Sequence, residues 1–151
     1  MSLPSICIKD VVTTNGEMTI LEAARLMKNG HIGDLVVVKQ NGTKKPIGIL
    51  TDRDIVKFVV ADNQMPEKVL VEDIMSRTLV TVPQTISLFE ALDIMQENGI
   101  HRVPVVNSEG SLIGIVASAD ILSILASELV SLSEISQQQI SKEKRGAITL
   151  S

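Results

Sequence analysis

Apolar residues recur at Ile20, Ala23, Ala24 and Met27 within "TILEAARLMKNG", the three-and-four spacing of one helix face. Gly30 follows where such a helix needs a C-cap. The pattern returns in "SLFEALDIMQENG" through Leu88, Ala91, Leu92 and Met95, ending at Gly99. Each helix is followed by a β-rich run, "DLVVV" at 34–38 and "RVPVV" at 102–106, and then by an Asn- and Gly-bearing turn, "KQNG" or "NSEG". A second short strand follows, "PIGIL" at 46–50 or "LIGIV" at 112–116, and a helix is predicted directly after each.

These are two writings of one unit. A shift of sixty-eight lays "VTTNGEMTILEAARLM" (12–27) on "VTVPQTISLFEALDIM" (80–95). After an insertion, Lys44 and Lys45, the shift becomes sixty-six and "GILTDRDI" (48–55) falls on "GIVASADI" (114–121). Val12/Val80, Glu22/Glu90, Ala23/Ala91, Met27/Met95, Gly42/Gly110, Gly48/Gly114 and Asp54/Asp120 are identical pairs. The unit reads strand, helix, strand, turn, strand, helix. Apolar strands flanked by helices imply an α/β (α+β) fold: two pseudo-twofold related repeats, each a small three-stranded sheet packed with helices. One such unit is marginal alone, whereas two can bury their faces on each other. The expected organisation is repeat 1 over 6–62, repeat 2 over 68–126, and a C-terminal helix and tail over 127–151. "KVLVEDIMSRTL" joins the repeats, with Glu72 and Asp73 favouring a helical turn. "IKDVVTT" reads as a shortened counterpart of "VEDIMSRTLVTV".

Composition narrows the picture. Of the 151 residues 44% are hydrophobic, yet Phe58 and Phe89 are the only aromatics, so the core must be aliphatic and Met27 and Met95 are read as packing. The single Cys7 excludes an internal disulfide and is expected to fill core space. A net charge of −4, with "KEKR" at 142–145 as the one basic cluster and no stacking aromatics, argues against nucleic acid. No basic segment leads into a long apolar run, and no stretch nears the ~20 apolar residues that span a bilayer. The expectation is a soluble, cytoplasmic protein with no membrane contact. Beyond 126, Leu125, Leu129, Leu132 and Ile135 lie three and four apart: a helix with one apolar stripe, followed by a polar, mobile end. The stripe packs either on its own domain or, the reading preferred, on a second subunit.

The repeated phrase carries candidate chemistry. Thr51 and Asp54 have the spacing of a helix N-cap and its third residue, so a capping box is one reading, although Asp is a poorer reciprocal cap than Glu. The other reading uses the same atoms: free N–H groups at a helix start attract phosphate, a carboxylate holds ribose hydroxyls, and Arg53 offers a charge-assisted bond.

The ordered set "GI[LV]xxxDI" twice, "VEDIM" before the second unit and "GIHRVPVV" within it resembles a cystathionine-β-synthase (CBS) domain pair over roughly residues 6–126. The resemblance implies one folded module, often paired into a disc, with regulatory clefts that bind AMP, ADP, ATP or S-adenosylmethionine. It implies a main site of Ile49, Thr51, Arg53 and Asp54 with Leu79, Val80, Ile100, His101, Arg102 and Pro104, adenine lying among the apolar members. The second cleft receives Asp120, with Ser118 as a substitute hydroxyl, but Ala117 and Ala119 replace Thr51 and Arg53, and Gly33 and Asp34 replace His101 and Arg102. Losing charge-assisted bonds at roughly 1.5–3 kcal/mol each makes that cleft weak for phosphate. It is expected to be empty or to suit a ligand without phosphate.

The function expected is therefore a regulatory adenine-nucleotide sensor that signals to a protein partner or its own homodimer. The alternative is a ligand-free dimerisation scaffold whose motifs only cap helices. An enzyme is not expected. Asp52, Asp54 and His101 form no recognisable acid-base set, and the two histidines, His31 and His101, occupy non-equivalent repeat positions without metal-ligand spacing. No metal is required.

Overall fold

The computed structural model describes residues 2–146. Strands β1 (Thr13–Asn15), β2 (Asp34–Val38) and β3 (Pro46–Thr51) form the first sheet; β4 (Val82–Pro83), β5 (Arg102–Val106) and β6 (Leu112–Ala117) form the second. In each, the first strand pairs parallel with the central one and the third pairs antiparallel. Helices α2 (Ile20–Gly30) and α5 (Leu88–Asn98) make the crossovers. Their starts are fixed by capping boxes at the same repeat position, Thr19 with Glu22 and Ser87 with Glu90. Helix α3 (Asp52–Ile55), continued by a π-helical segment Val56–Val60, and helix α6 (Ser118–Gly146) follow the two third strands. The mixed α+β class and the two three-stranded sheets are those the periodicity predicts.

Two short helices are exchanged between the halves. Helix α1 (Leu3–Ile6), which precedes the first unit, packs on the second sheet, and Leu3 and Cys7 are buried with Val82, Val105 and Val116. Helix α4 (Val71–Ile74), which precedes the second unit, buries Val71 and Met75 with Leu35, Leu50 and Val59 of the first. After each helix one residue bridges the outer edge of the other unit's third strand, Ile8 to Ile115 and Ser76 to Ile49. Leu3/Val71, Cys7/Met75 and Ile8/Ser76 all keep the shift of sixty-eight, so the first repeat is not shortened as expected. "LPSICI" is the full counterpart of "VEDIMS", sharing only an isoleucine with it.

The exchange explains Pro104 in a central strand. Its Cα partner Ile115 turns its N–H and C=O outward to Ile8, at 3.0 and 2.9 Å. The Pro104–Ile115 pair is therefore the non-bonded kind, and strand β4 reaches only Val105 and Val106 on the other side. No ladder bond is lost.

Met27, Met95 and Cys7 are buried, as expected. The left-handed position closing α2 is His31 (φ 52°) rather than Gly30, which is the helix's last residue; Gly99 (φ 62°) closes α5 as expected. Helix α6 runs unbroken for 29 residues, past the boundary expected at 126 and through the polar end, because no Gly or Pro interrupts 118–145. The last five positions of the expected tail, 147–151, lie outside the described residues. The Lys44-Lys45 insertion also has a place: Lys44, left-handed at φ 51°, accepts from the Leu112 N–H of the second sheet at 3.0 Å.

Candidate functional site

At the end of β3 the chain turns into α3, and Thr51 caps it. The Thr51 hydroxyl accepts from the Asp54 N–H at 3.1 Å, and the Thr51 N–H donates to Asp54 Oδ2 at 3.0 Å. The capping reading is thus realised, with both residues half-buried. A carboxylate has about four lone-pair sites, so the box leaves acceptor capacity for a ligand hydroxyl. Arg53 is exposed on the first turn. Ile49, half-buried, is pinned by the two backbone bonds of its bridge to Ser76, at 3.0 and 2.8 Å, which sets Leu79 and Val80 a few residues further along the same passing segment.

The corresponding corner of the second repeat lacks the box because Ala117 has no hydroxyl. Ser118 opens α6, and its N–H donates to the His101 carbonyl at 2.8 Å, as the Asp52 N–H donates to Gly33 at 2.9 Å in the first repeat. Asp120 is half-buried in the first turn of α6.

Between the two corners stands an ion pair. Arg102 donates from Nη1 to Asp34 Oδ1 at 3.3 Å; their side chains are 45% and 32% exposed. The two residues are sixty-eight apart and open the central strands of the two sheets, so each meets its own repeat counterpart. Asp34 is also the register partner of Thr51, and Arg102 that of Ala117. Thr51, Asp34, Arg102 and Ala117 therefore form one continuous seam.

Arg102 and Asp34 both line a hollow of about 90 Å³, together with Ile8, Asp10, Val11, Val12, Ile32, Val36 and Ile115. These are the repeat counterparts of Ser76, Thr78, Leu79, Val80, Ile100, Pro104 and Ile49, so the hollow lies where the second cleft is expected, although Asp120 and Ser118 do not line it. Sites for drug-sized ligands run from roughly 300 Å³, so this wall must part to admit a nucleoside. Of its members, Ile8, Asp10, Ile32, Val36 and Ile115 were not singled out in the sequence. Carrying the main-site list through the two shifts would have found all but the first two.

Among the expected main-site residues, the structure ties Thr51 to Asp54 directly, whereas Arg102 is paired with Asp34, the strand partner of Thr51, and lines the hollow on the opposite side. Ile100 is half-buried and Pro104 buried. His101 is exposed and shares an open depression with Ile100 and Ser118, bounded by Leu92, Gln96 and Gly99, so it stands beside a hydroxyl assigned to the other cleft. Among the described residues no three His, Cys, Asp or Glu side chains cluster as a metal site, and no helix is long and apolar enough to cross a membrane.

Comparison with known proteins agrees with the duplicated architecture. A family model for the CBS domain matches twice, over residues 5–61 and 71–127. An uncharacterised protein of Methanopyrus kandleri is 39% identical over 124 residues, covering 82% of this chain; the chain spans 62% of that relative's length. The inosine-5'-monophosphate dehydrogenase of Thermoplasma acidophilum is 36% identical over 118 residues, 78% of this chain but only 22% of the enzyme. A CBS domain pair solved in complex with 5'-methylthioadenosine and S-adenosyl-L-methionine superposes with a TM-score of 0.72 at 29% identity, over 85% of this chain and 98% of the other.

Proposed function

This chain belongs to the CBS domain family, and on that footing we propose that it is a regulatory module for an adenosine-containing ligand: AMP, ADP, ATP or S-adenosylmethionine. The ligand would lie in the cleft flanked by Thr51, Arg53 and Asp54 from the first repeat and Leu79, Val80 and Ile100 to Pro104 from the second. Asp54 would take ribose hydroxyls, Arg53 and Arg102 phosphate, and the apolar residues adenine. The supporting observation is the seam in which Thr51, Asp34 and Arg102 follow one another across the two sheets. The second cleft, with Asp120 and Ser118 at its α6 corner and Asp10 and Asp34 on its wall, is the weaker one for phosphate. The role is sensing rather than catalysis, needs no metal, and is exercised in the cytoplasm without nucleic acid or membrane.

Occupancy would be passed to a protein partner or to the chain's own homodimer. For the homodimer the surface is the exposed stripe Leu122, Leu125, Leu129 and Leu132 of α6. Its spacing is that of a two-helix seam.

Calorimetry and thermal shift with AMP, ADP, ATP and S-adenosylmethionine test the sensor. Binding heat and a raised Tm with at least one ligand are expected. Silence from all four leaves the ligand-free dimerisation scaffold, which the completed Thr51–Asp54 box would serve equally well.

A further inference from the structure

In a duplicated fold, residues at the pseudo-twofold meet their own copies, and an unaltered duplication would set like charge against like. Here the two positions carry opposite charges, Asp34 and Arg102, and they close on each other at 3.3 Å. The same carboxylate borders the second hollow and is the register partner of Thr51 at the first cleft. The guanidinium is the one the nucleotide reading assigns to phosphate. It cannot give its full fork to a ligand while it holds Asp34.

We propose that Asp34 is a specificity-determining residue: an internal carboxylate that competes with ligand phosphate for Arg102 and thereby couples the two clefts. The proposal rests on the nucleotide reading above. The pair is single-bonded and a third to a half exposed, so it is held weakly and opens readily. A phosphate dianion offers a guanidinium two parallel bonds and a higher charge, and so displaces it. A neutral nucleoside brings nothing that can. Such a ligand leaves the pair closed, so Asp34 narrows the advantage that a phosphorylated ligand holds over uncharged adenosine.

Release of Asp34 changes the second hollow. With Arg102 withdrawn, its wall keeps Asp10 and Asp34 and loses its cation. Two carboxylates around an otherwise apolar hollow favour a ligand bearing a positive centre, such as a sulfonium or an amine. An anionic ligand in the first cleft therefore promotes a cationic one in the second, and by linkage the reverse holds to the same degree.

The test titrates AMP and adenosine into four proteins: wild type, Asp34→Asn, Arg102→Gln and the double variant, each first checked for an unchanged unfolding midpoint. Asp34→Asn should tighten AMP by up to about fivefold, the upper end of what an exposed ion pair commands, and leave adenosine unchanged. In the Arg102→Gln background the same substitution should leave AMP unaltered, because there is no guanidinium to compete for. Equal gains in both backgrounds would reveal only general repulsion between Asp34 and phosphate, and would overturn the proposal. So would an unchanged AMP affinity in Asp34→Asn alone. A wild type that binds neither compound overturns the nucleotide reading itself. As a second readout, S-adenosylmethionine should bind wild type more tightly when AMP is saturating, and Asp34→Asn should abolish that gain; equal affinity with and without AMP would remove the coupling.

Discussion

Gly48 lies against Ser76 so closely that a Cβ placed on it would stand 2.7 Å from the Ser76 carbonyl oxygen and 2.9 Å from Met75 Sδ. The glycine that opens the repeated phrase is thus a consequence of the exchanged segments. Gly114 holds the same relation to Ile8 O at 2.9 Å and Cys7 Sγ at 2.6 Å.

Gly48→Ala should therefore destabilise the fold by about 1–3 kcal/mol, the usual cost of overpacking. Gly114→Ala should cost a similar amount, because it too meets a backbone carbonyl, Ile8 O, and a buried sulfur, Cys7 Sγ, both within 3.0 Å. Urea unfolding measures both. Equal stability of Gly48→Ala and the wild type would mean that residues 75–76 do not dock on β3 as described.

His31 closes α2 in the left-handed region, where a side chain is disfavoured by roughly 1–2 kcal/mol. His31→Gly should raise stability by about 1 kcal/mol after the added freedom of the unfolded glycine is subtracted. Gly99→Ala, at the equivalent position of α5, should lose a similar amount. Thermal unfolding of the two variants should move in opposite directions. A shift in the same direction would contradict the assigned caps.

How far the chain could be read unaided follows from the same positions. The repeat, both sheets and the crossover helices rest on side-chain periodicity, which is local and strong. Sequence composition points to Gly30 as the cap of α2, whereas the helix runs one residue further and His31 takes the left-handed position. The exchange of α1 and α4 leaves almost no trace, since "LPSICI" and "VEDIMS" agree at one residue and their equivalence lies in burial. The Arg102–Asp34 pair is hidden for a different reason: the repeat pattern places the two residues at opposite clefts, and only the meeting of the sheets brings them together.

Asp54→Asn separates the two uses of that carboxylate. The amide keeps an oxygen to accept from the Thr51 N–H, so the capping box and the unfolding midpoint should be retained. The charge is lost, and a charge-assisted bond is worth about 1.5–3 kcal/mol, so nucleotide affinity should fall by about one to two decades. Asp120→Asn should leave affinity for a phosphorylated ligand unchanged. Calorimetry on both variants decides it. Matched losses would erase the distinction between the clefts.

The last prediction concerns the arm. From Leu125 to Arg145 every residue of α6 is exposed in the single chain, although the helix at 1.5 Å per residue extends about 43 Å. Its attachment to the body rests on Ile121, which is buried, and Ile124, half-buried. A helix of that length in water with no packing partner is marginal, since most helical stability comes from covering an apolar face. The stripe through Leu122, Leu125, Leu129 and Leu132 is the face that needs covering. Pairing with a second copy supplies the cover. Leu129→Glu with Leu132→Glu should therefore convert a dimer to a monomer in sedimentation equilibrium. The same change should lower the far-ultraviolet helical signal by about the contribution of the arm. A wild type that sediments as a monomer with full helicity would exclude the second copy, and a double variant that remains dimeric would place the seam elsewhere.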